Sequence, residues 1–207
     1  LDSLKKYRIR YNSERVYPTN DELLHVFKES YKSFFKIYIP LFISSCILFN
    51  NIDWYPYKIT KQLPDSIYII IELFLICVLG DILFNLLHRL FHIPYLYKKF
   101  HKKHHEYKYT FALVHHYLHD FEALIFILPA IIPPILFNSH IMIMWIWMCI
   151  AQFMGIIGHS GYFLPSPIYK LLPTLRSDYH DAHHYLYNKN FGLIFIHIDK
   201  ILGTYYY

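Results

Sequence analysis

Histidines at helical spacing dominate two stretches of the chain, HRLFHIPYLYKKFHKKHH from His88 to His105 and YHDAHH ending at His184. Residues i, i+3 and i+4 of a helix share a face, so His88 with His92, His101 with His104 and His105, and His180 with His183 and His184 each present imidazoles in one direction. Neutral imidazole is the commonest protein ligand for zinc, copper, iron and nickel. A single pair would read more readily as ordinary core or surface polarity, but nothing in packing rewards His-x-x-His-His occurring twice. A structural zinc site uses four ligands. Eight imidazoles in three groups therefore point to one centre with two ions, redox or hydrolytic in its chemistry.

The elements that must position these histidines are apolar. The chain of 207 residues is 55% hydrophobic and 20% aromatic, with only 6 glycines, more apolar surface than a soluble domain of this length hides. Its natural solvent is a bilayer. The net charge is +5, and the basic residues gather at the flanks and loops of apolar runs, which fits an anionic membrane surface and not nucleic acid. Cys46, Cys77 and Cys149 sit inside apolar segments without disulfide or metal spacing. The sequence carries no internal repeat, no phosphate-cradling glycine loop and no Ser-His-Asp order. It opens on Leu1 and not on methionine, so a targeting segment upstream is left open.

Residues 1–32 read as a polar N-terminal arm with Lys5, Lys6, Arg8, Arg10 and Arg15, and with a short interfacial helix from Asn20 to Tyr31 opened by Asp21 and Glu22. Residues 33–207 read as a membrane-embedded domain. Its first apolar run, Ser33 to Phe49, contains Lys36 and is broken by Pro40, and a polar connection then sets Trp54, Tyr55 and Tyr57 at interface depth. Ile67 to Leu87 is the strongest span, interrupted by Glu72, Asp81 and Asn85. An ionisable residue inside a membrane segment is a functional suspect. Asp81 precedes His88 by two turns on the same face, where its carboxylate would accept the second N–H of a ligating histidine, unless it simply faces water.

The loop from His88 to His119 carries Arg89, Lys98, Lys99, Lys102, Lys103 and Lys108, which places it on the cytoplasmic side by the positive-inside rule. Phe121 to Phe137 and Ile141 to Gly158 form a helical hairpin that returns the chain to the side it left, so that the first and last histidine groups share one membrane face. A cap of short helices and loops after Gly158 brings His159 and His180 to His184 to the earlier cluster. The expected fold is thus an all-α integral membrane protein, four transmembrane helices in two hairpins with a cytoplasmic histidine-rich helical cap. His25, His140 and His197 read as ordinary polar residues.

The motifs HRLFH, FHKKHH, HSGYFLP, YHDAHH and DKILGT, in that order from about Ile67 to Thr204, resemble the fatty acid hydroxylase and sterol desaturase superfamily of membrane oxygenases. FHKKHHEYKYTFALVHHYLHDFEAL followed by HSGY is most similar to the C-4 methylsterol monooxygenases, with His119 and Glu122 at matching positions and Asp120 where those enzymes carry proline. HHYLYNKNFG is also similar to sterol C-5 desaturases. The resemblance implies a non-haem di-iron site held by His88, His92, His101, His104, His105, His180, His183 and His184, with His159 and His119 added. It sets Asp81, His116, Glu122 and Asp181 around those ligands, and His115 with His116 along the substrate channel. It implies oxidation of a sterol C–H bond with O2, two iron ions that zinc can replace, and reducing equivalents from NAD(P)H through a reductase and a b-type cytochrome. The location it implies is the endoplasmic reticulum membrane, in contact with lipid and not with nucleic acid.

Fatty acid or sphingolipid hydroxylation, or C-5 desaturation, would use the same scaffold and differ in product. A catalytically silent zinc-binding membrane scaffold is the alternative of another class, and loss of one or two ligands would mark it. None of the eight core histidines is missing. A metal transporter would want its ligands within the spans, and these lie at their ends.

Overall fold

A computed structural model of the chain describes residues 7–9, 17–50, 58, 60–163 and 175–206, with side chains except at 45–50. The interface aromatics Trp54, Tyr55 and Tyr57, the basic residues Lys5, Lys6, Arg10 and Arg15, and the Cys46 side chain lie outside the described residues. Most of the described chain is helical, and no β-strand occurs among the described residues.

Helix α1 (Asn20–Ser33) begins in a capping box: the Glu22 N–H donates to Thr19 Oγ1 at 3.2 Å and the Thr19 N–H to the Glu22 carboxylate at 2.8 Å. Its Val26 is fully buried and packs with Phe111, Val114 and Tyr117. The chain continues through a π turn (Phe34–Tyr38) into α2 (Ile39–Asn50). Pro40 explains the widened turn, since its ring crowds the carbonyl four residues back and its nitrogen donates nothing.

Helix α3 (Ser66–Phe91) is capped by Asp65, whose carboxylate accepts the N–H groups of Ile67 at 2.9 Å and Tyr68 at 3.4 Å. At 26 residues it is about 39 Å long, against a hydrocarbon core of about 30 Å. It is thus long enough to cross such a layer with turns to spare. Ile67, Ile70, Ile71 and Phe74 on α3 stand exposed, as do Trp145, Phe153 and Ile156 on α7 (Ile141–Gly158). These two helices are long and apolar enough to cross a membrane, with only 22% and 28% of their most apolar stretches buried inside the protein.

The other two apolar runs are also helical. The run from Phe121 divides into α5 (Asp120–Ile125) and α6 (Leu128–Leu136), where Pro129 opens α6 and Pro133 and Pro134 sit inside it. Nine residues rise about 14 Å, too little to span alone. Proline accounts for the division of that run into α5 and the short α6, whereas the run holding Pro40 stays helical without a break from α1 through the π turn to Asn50.

Three contacts fix how α3 and α7 lie. Ser139 Oγ donates to the Glu72 carboxylate, the Trp147 ring packs where a Cβ on Gly80 would sit, and His88 and His159 end in one cluster. The pairs 72 with 139 and 80 with 147 keep the same offset, so the two helices run parallel. Lys58 adds a bridge at their starts, donating to Ser139 O at 2.8 Å and accepting from Ile141 N–H at 2.9 Å. Trp147 Nε1 donates to Ala130 O at 3.0 Å, which ties α6 into the same layer. The remainder caps one end: α4 (Pro94–Leu96), a π turn (Tyr97–His101), 3-10 turns at His104–Glu106 and Ala112–His116, α8 (Ser177–Leu186) and α9 (His197–Ile201).

Candidate metal centre

The parallel course of α3 and α7 delivers two helix C-termini to the cap, each carrying a histidine as its C-cap, His92 and His159. Helix C-termini bear partial negative charge, and α8 adds His183 and His184 in its own last turn. The spot where these ends meet favours cations.

Two groups of imidazoles form there. His88, His92, His101, His105 and His183 make the first, and His104, His159, His180 and His184 the second; within each, the candidate ligand atoms lie within 4.8 Å of one another. Two nitrogens on a single ion at about 2.1 Å are at most about 4.2 Å apart, so each group needs little closure to hold an ion. Spacing decides the partition. Residues i and i+4 go together, as in His88 with His92, His101 with His105 and His180 with His184, while the i+3 members His104 and His183 turn to the other group.

The outward nitrogens fix the tautomers. Nδ1 of His88 donates to Phe191 O at 3.0 Å, His159 to Gly155 O at 2.7 Å, His183 to Lys189 O at 2.6 Å and His184 to Tyr107 O at 3.2 Å. A carbonyl only accepts, so each of these rings keeps its lone pair on Nε2. His101 Nδ1 pairs with the buried Glu122 carboxylate. The Nε2 atoms then face one another: His101 lies 3.0 Å from His92 and 3.0 Å from His105, and His159 lies 3.2 Å from His104, 3.0 Å from His180 and 3.3 Å from His184. His183 Nε2 is buried with no hydrogen-bond partner among the described residues. Converging acceptor lone pairs repel unless a cation sits among them, so the donor set fits two metal ions. Burial holds His101, His104, His105, His159, His180, His183 and His184 well below the usual histidine range, and neighbouring imidazoles push the same way. Neutral rings are the ligating form.

A second layer of residues locks the backbone carbonyls in place. Asp199, fully buried, accepts from Arg89 at 2.7 Å, the Tyr179 hydroxyl at 2.7 Å, Thr204 Oγ1 at 2.6 Å and the N–H groups of Phe191 at 3.1 Å and Gly192 at 2.8 Å. It thereby joins the residue after His88, the residue before His180 and the carbonyl that orients His88. Sequence reasoning missed this hub, whose one signal was the motif DKILGT.

Two of the residues expected at the site, Asp81 and His119, stand elsewhere, while Asp181 and His116 stand close to the expected places. Asp81 reaches no histidine; it accepts the N–H groups of Leu193 at 2.9 Å, Ile194 at 2.7 Å and Phe195 at 3.2 Å, because that buried turn has three donors to satisfy. His119 stands outside both groups and caps α5, its Nδ1 accepting the Phe121 N–H at 3.1 Å. Asp181 accepts the Thr110 N–H at 2.9 Å and its hydroxyl at 2.7 Å, steadying the loop that presents Tyr107 O to His184. His116 lines a cavity beside His115. Of the ordinary histidines, His140 caps α7 through the Met142 N–H, and His25 lies 3.3 Å from the Tyr117 hydroxyl.

The centre borders two openings. One is a largely apolar cavity of about 110 Å³, reached between α3, α6 and α7 and floored by His88, His101, His104, His159 and His180. The other is an open surface pocket where His92 lies beside Arg89, Lys98, Lys102, Tyr97 and Tyr187.

Comparison with known proteins matches residues 73–204 to the model of the fatty acid hydroxylase family. Methylsterol monooxygenase 1-3 of Arabidopsis thaliana is 32% identical over 88% of this chain and 63% of its own length. Very-long-chain aldehyde decarbonylase GL1-11 of Oryza sativa subsp. indica is 36% identical over 69% of this chain and 55% of its own. Fatty acid hydroxylase domain-containing protein 2 of Macaca fascicularis is 32% identical over 76% of this chain and 45% of its own. The chain thus spans between 45% and 63% of the length of these three relatives, and no solved structure matches it. On the family match and on the histidine motifs that it covers, the chain belongs to the fatty acid hydroxylase family.

Proposed function

We propose that the two histidine groups hold two iron ions and that the protein is a membrane-bound oxygenase, oxidising a C–H bond of a sterol with O2. The observation that carries this is the abutment of two all-imidazole pockets on an apolar cavity open between membrane-capable helices. Two iron ions supply the oxidation of an unactivated C–H bond by O2, which protein side chains do not perform.

The chain's own residues do the rest. Phe84, Phe126 and Trp147 line the cavity and exclude water from the lipid that enters. Glu122 and the carbonyls of Phe191, Lys189, Tyr107 and Gly155 hold the imidazole protons outward. Arg89, Lys98 and Lys102 ring the half-buried His92 and suit an acidic electron donor, a b-type cytochrome served by an NAD(P)H reductase. In this reading the two proline-bearing runs complete a four-span topology, with the centre on the cytoplasmic face of the endoplasmic reticulum. Methylsterol is the substrate class favoured by the first-named relative.

An acyl-chain substrate is the second reading, supported by the names of the rice and macaque relatives. Expression in membranes with iron, O2 and a reductase system, followed by mass spectrometry of sterols and acyl lipids, tests both. A sterol gaining oxygen is the expected product. An oxidised acyl lipid, or no lipid product from iron-loaded protein, would overturn the sterol assignment or the oxygenase itself.

A further inference from the structure

Among the polar side chains lining the apolar cavity, Glu122 is committed to His101 and the Tyr179 hydroxyl to Asp199, leaving Tyr38 and a group made of His115, His116 and Gln152. The group is built, not incidental. Gln152 is the one amide in α7, whose other residues are apolar, aromatic or sulfur-bearing, and an amide set against hydrocarbon is costly unless it has partners. Its Oε1 lies 3.2 Å from His115 Nε2, and the His116 ring centroid is 4.4 Å from that of His115. Gly155 makes room for this arrangement, since a Cβ there would overlap the His115 ring. Gln152 itself remains exposed while lining the cavity, so its amide keeps hydrogen-bonding capacity for a visitor.

Two features say what the visitor is. No lysine or arginine lines the cavity among the described residues, so the corner offers amide and neutral imidazole and no cation to pair with a carboxylate. The corner is also next to the metal centre, with the His115 ring centroid 5.4 Å from that of the ligand His159.

Resting on the oxygenase reading, we propose that Gln152, with His115 and His116, forms a subsite for the hydroxyl of an uncharged lipid alcohol, and that the oxidised carbon lies within a few bonds of that hydroxyl. A hydroxyl uses both faces of such a corner, donating to one partner and accepting from the other. A lipid whose polar group is remote from the reacting carbon cannot occupy corner and centre together.

The test uses the full chain purified from membranes, loaded with iron or zinc. Equilibrium binding is measured for a 4-methylsterol, its 3-methyl ether and a saturated fatty acid, on wild type and Gln152→Leu, with metal content and turnover read in parallel. Wild type is expected to bind the alcohol about three- to tenfold more tightly than the ether, and more tightly than the acid. Gln152→Leu should lower alcohol affinity by that factor, narrow the preference for alcohol over ether, leave metal content unchanged, and raise KM more than it lowers kcat. Equal affinity of wild type for alcohol and ether, or an unchanged preference in Gln152→Leu, would overturn the subsite. An intact preference in iron-loaded protein that oxidises no lipid would instead overturn the oxygenase reading and leave the subsite standing.

Discussion

The first histidine group borders both openings, the basic surface pocket through its half-buried His92 and the apolar cavity through His88 and His101, whereas all four members of the second are buried and meet the apolar cavity alone, through His104, His159 and His180. Both are made of imidazoles alone, so ligand type does not distinguish them. Access does: one position meets both the surface cations and the apolar cavity, and the other meets the cavity alone. The pair reads as one centre with a polar entrance and an apolar one, and each prediction presses on that division.

The largest effect is expected for a buried ligand of the second group. His180→Ala should abolish lipid oxidation, while His92→Ala, removing the half-buried ligand, should leave measurable turnover; product assays on both variants compare them. Asp199→Asn comes next, because Asp199 joins both groups and its loss leaves Arg89 without its carboxylate. A loss of about 3 kcal/mol is expected, read as a fall in thermal stability with both metals weakened together.

Acid should act on both groups in one direction. The buried rings titrate below the ordinary value, so the unfolded chain takes up more protons as pH drops below about 6.5. Stability of the metal-free protein is therefore full above that value and declines beneath it, and metal is released over the same range; metal retention against pH checks this. Gly155→Ala should harm only the cavity side, displacing His115 and cutting turnover about tenfold with metal retained. Exchanging Lys98 and Lys102 for glutamate is the smallest change. It should slow reduction by an acidic protein donor severalfold at low salt, and leave reduction by a small neutral reductant unaltered.

How much of this was legible in the sequence varies with range. His88 with His92 and His180 with His184 are local pairs, and local helical spacing reveals them. Their sorting into two groups was hidden, because His101 closes a π turn and His104 opens a 3-10 turn, so the single-helix face assumed for FHKKHH does not exist. Asp81 and Asp199 work across separations of more than a hundred residues, on the turn at Leu193 and on Arg89. No spacing rule reaches that far. The α3 and α7 segments were plain from continuous apolarity, while the run holding Pro133 and Pro134 looked like their equal until the backbone cost of proline was realised in a shorter helix.

The most direct measurement is the metal stoichiometry of the full chain purified from iron-replete membranes, wild type beside His184→Ala, by elemental analysis with Mössbauer spectroscopy for iron. The account predicts close to two irons per wild-type chain as a coupled pair, falling to about one or fewer in the variant. A single ion per wild-type chain, or zinc retained in its place under iron-replete conditions, would contradict it.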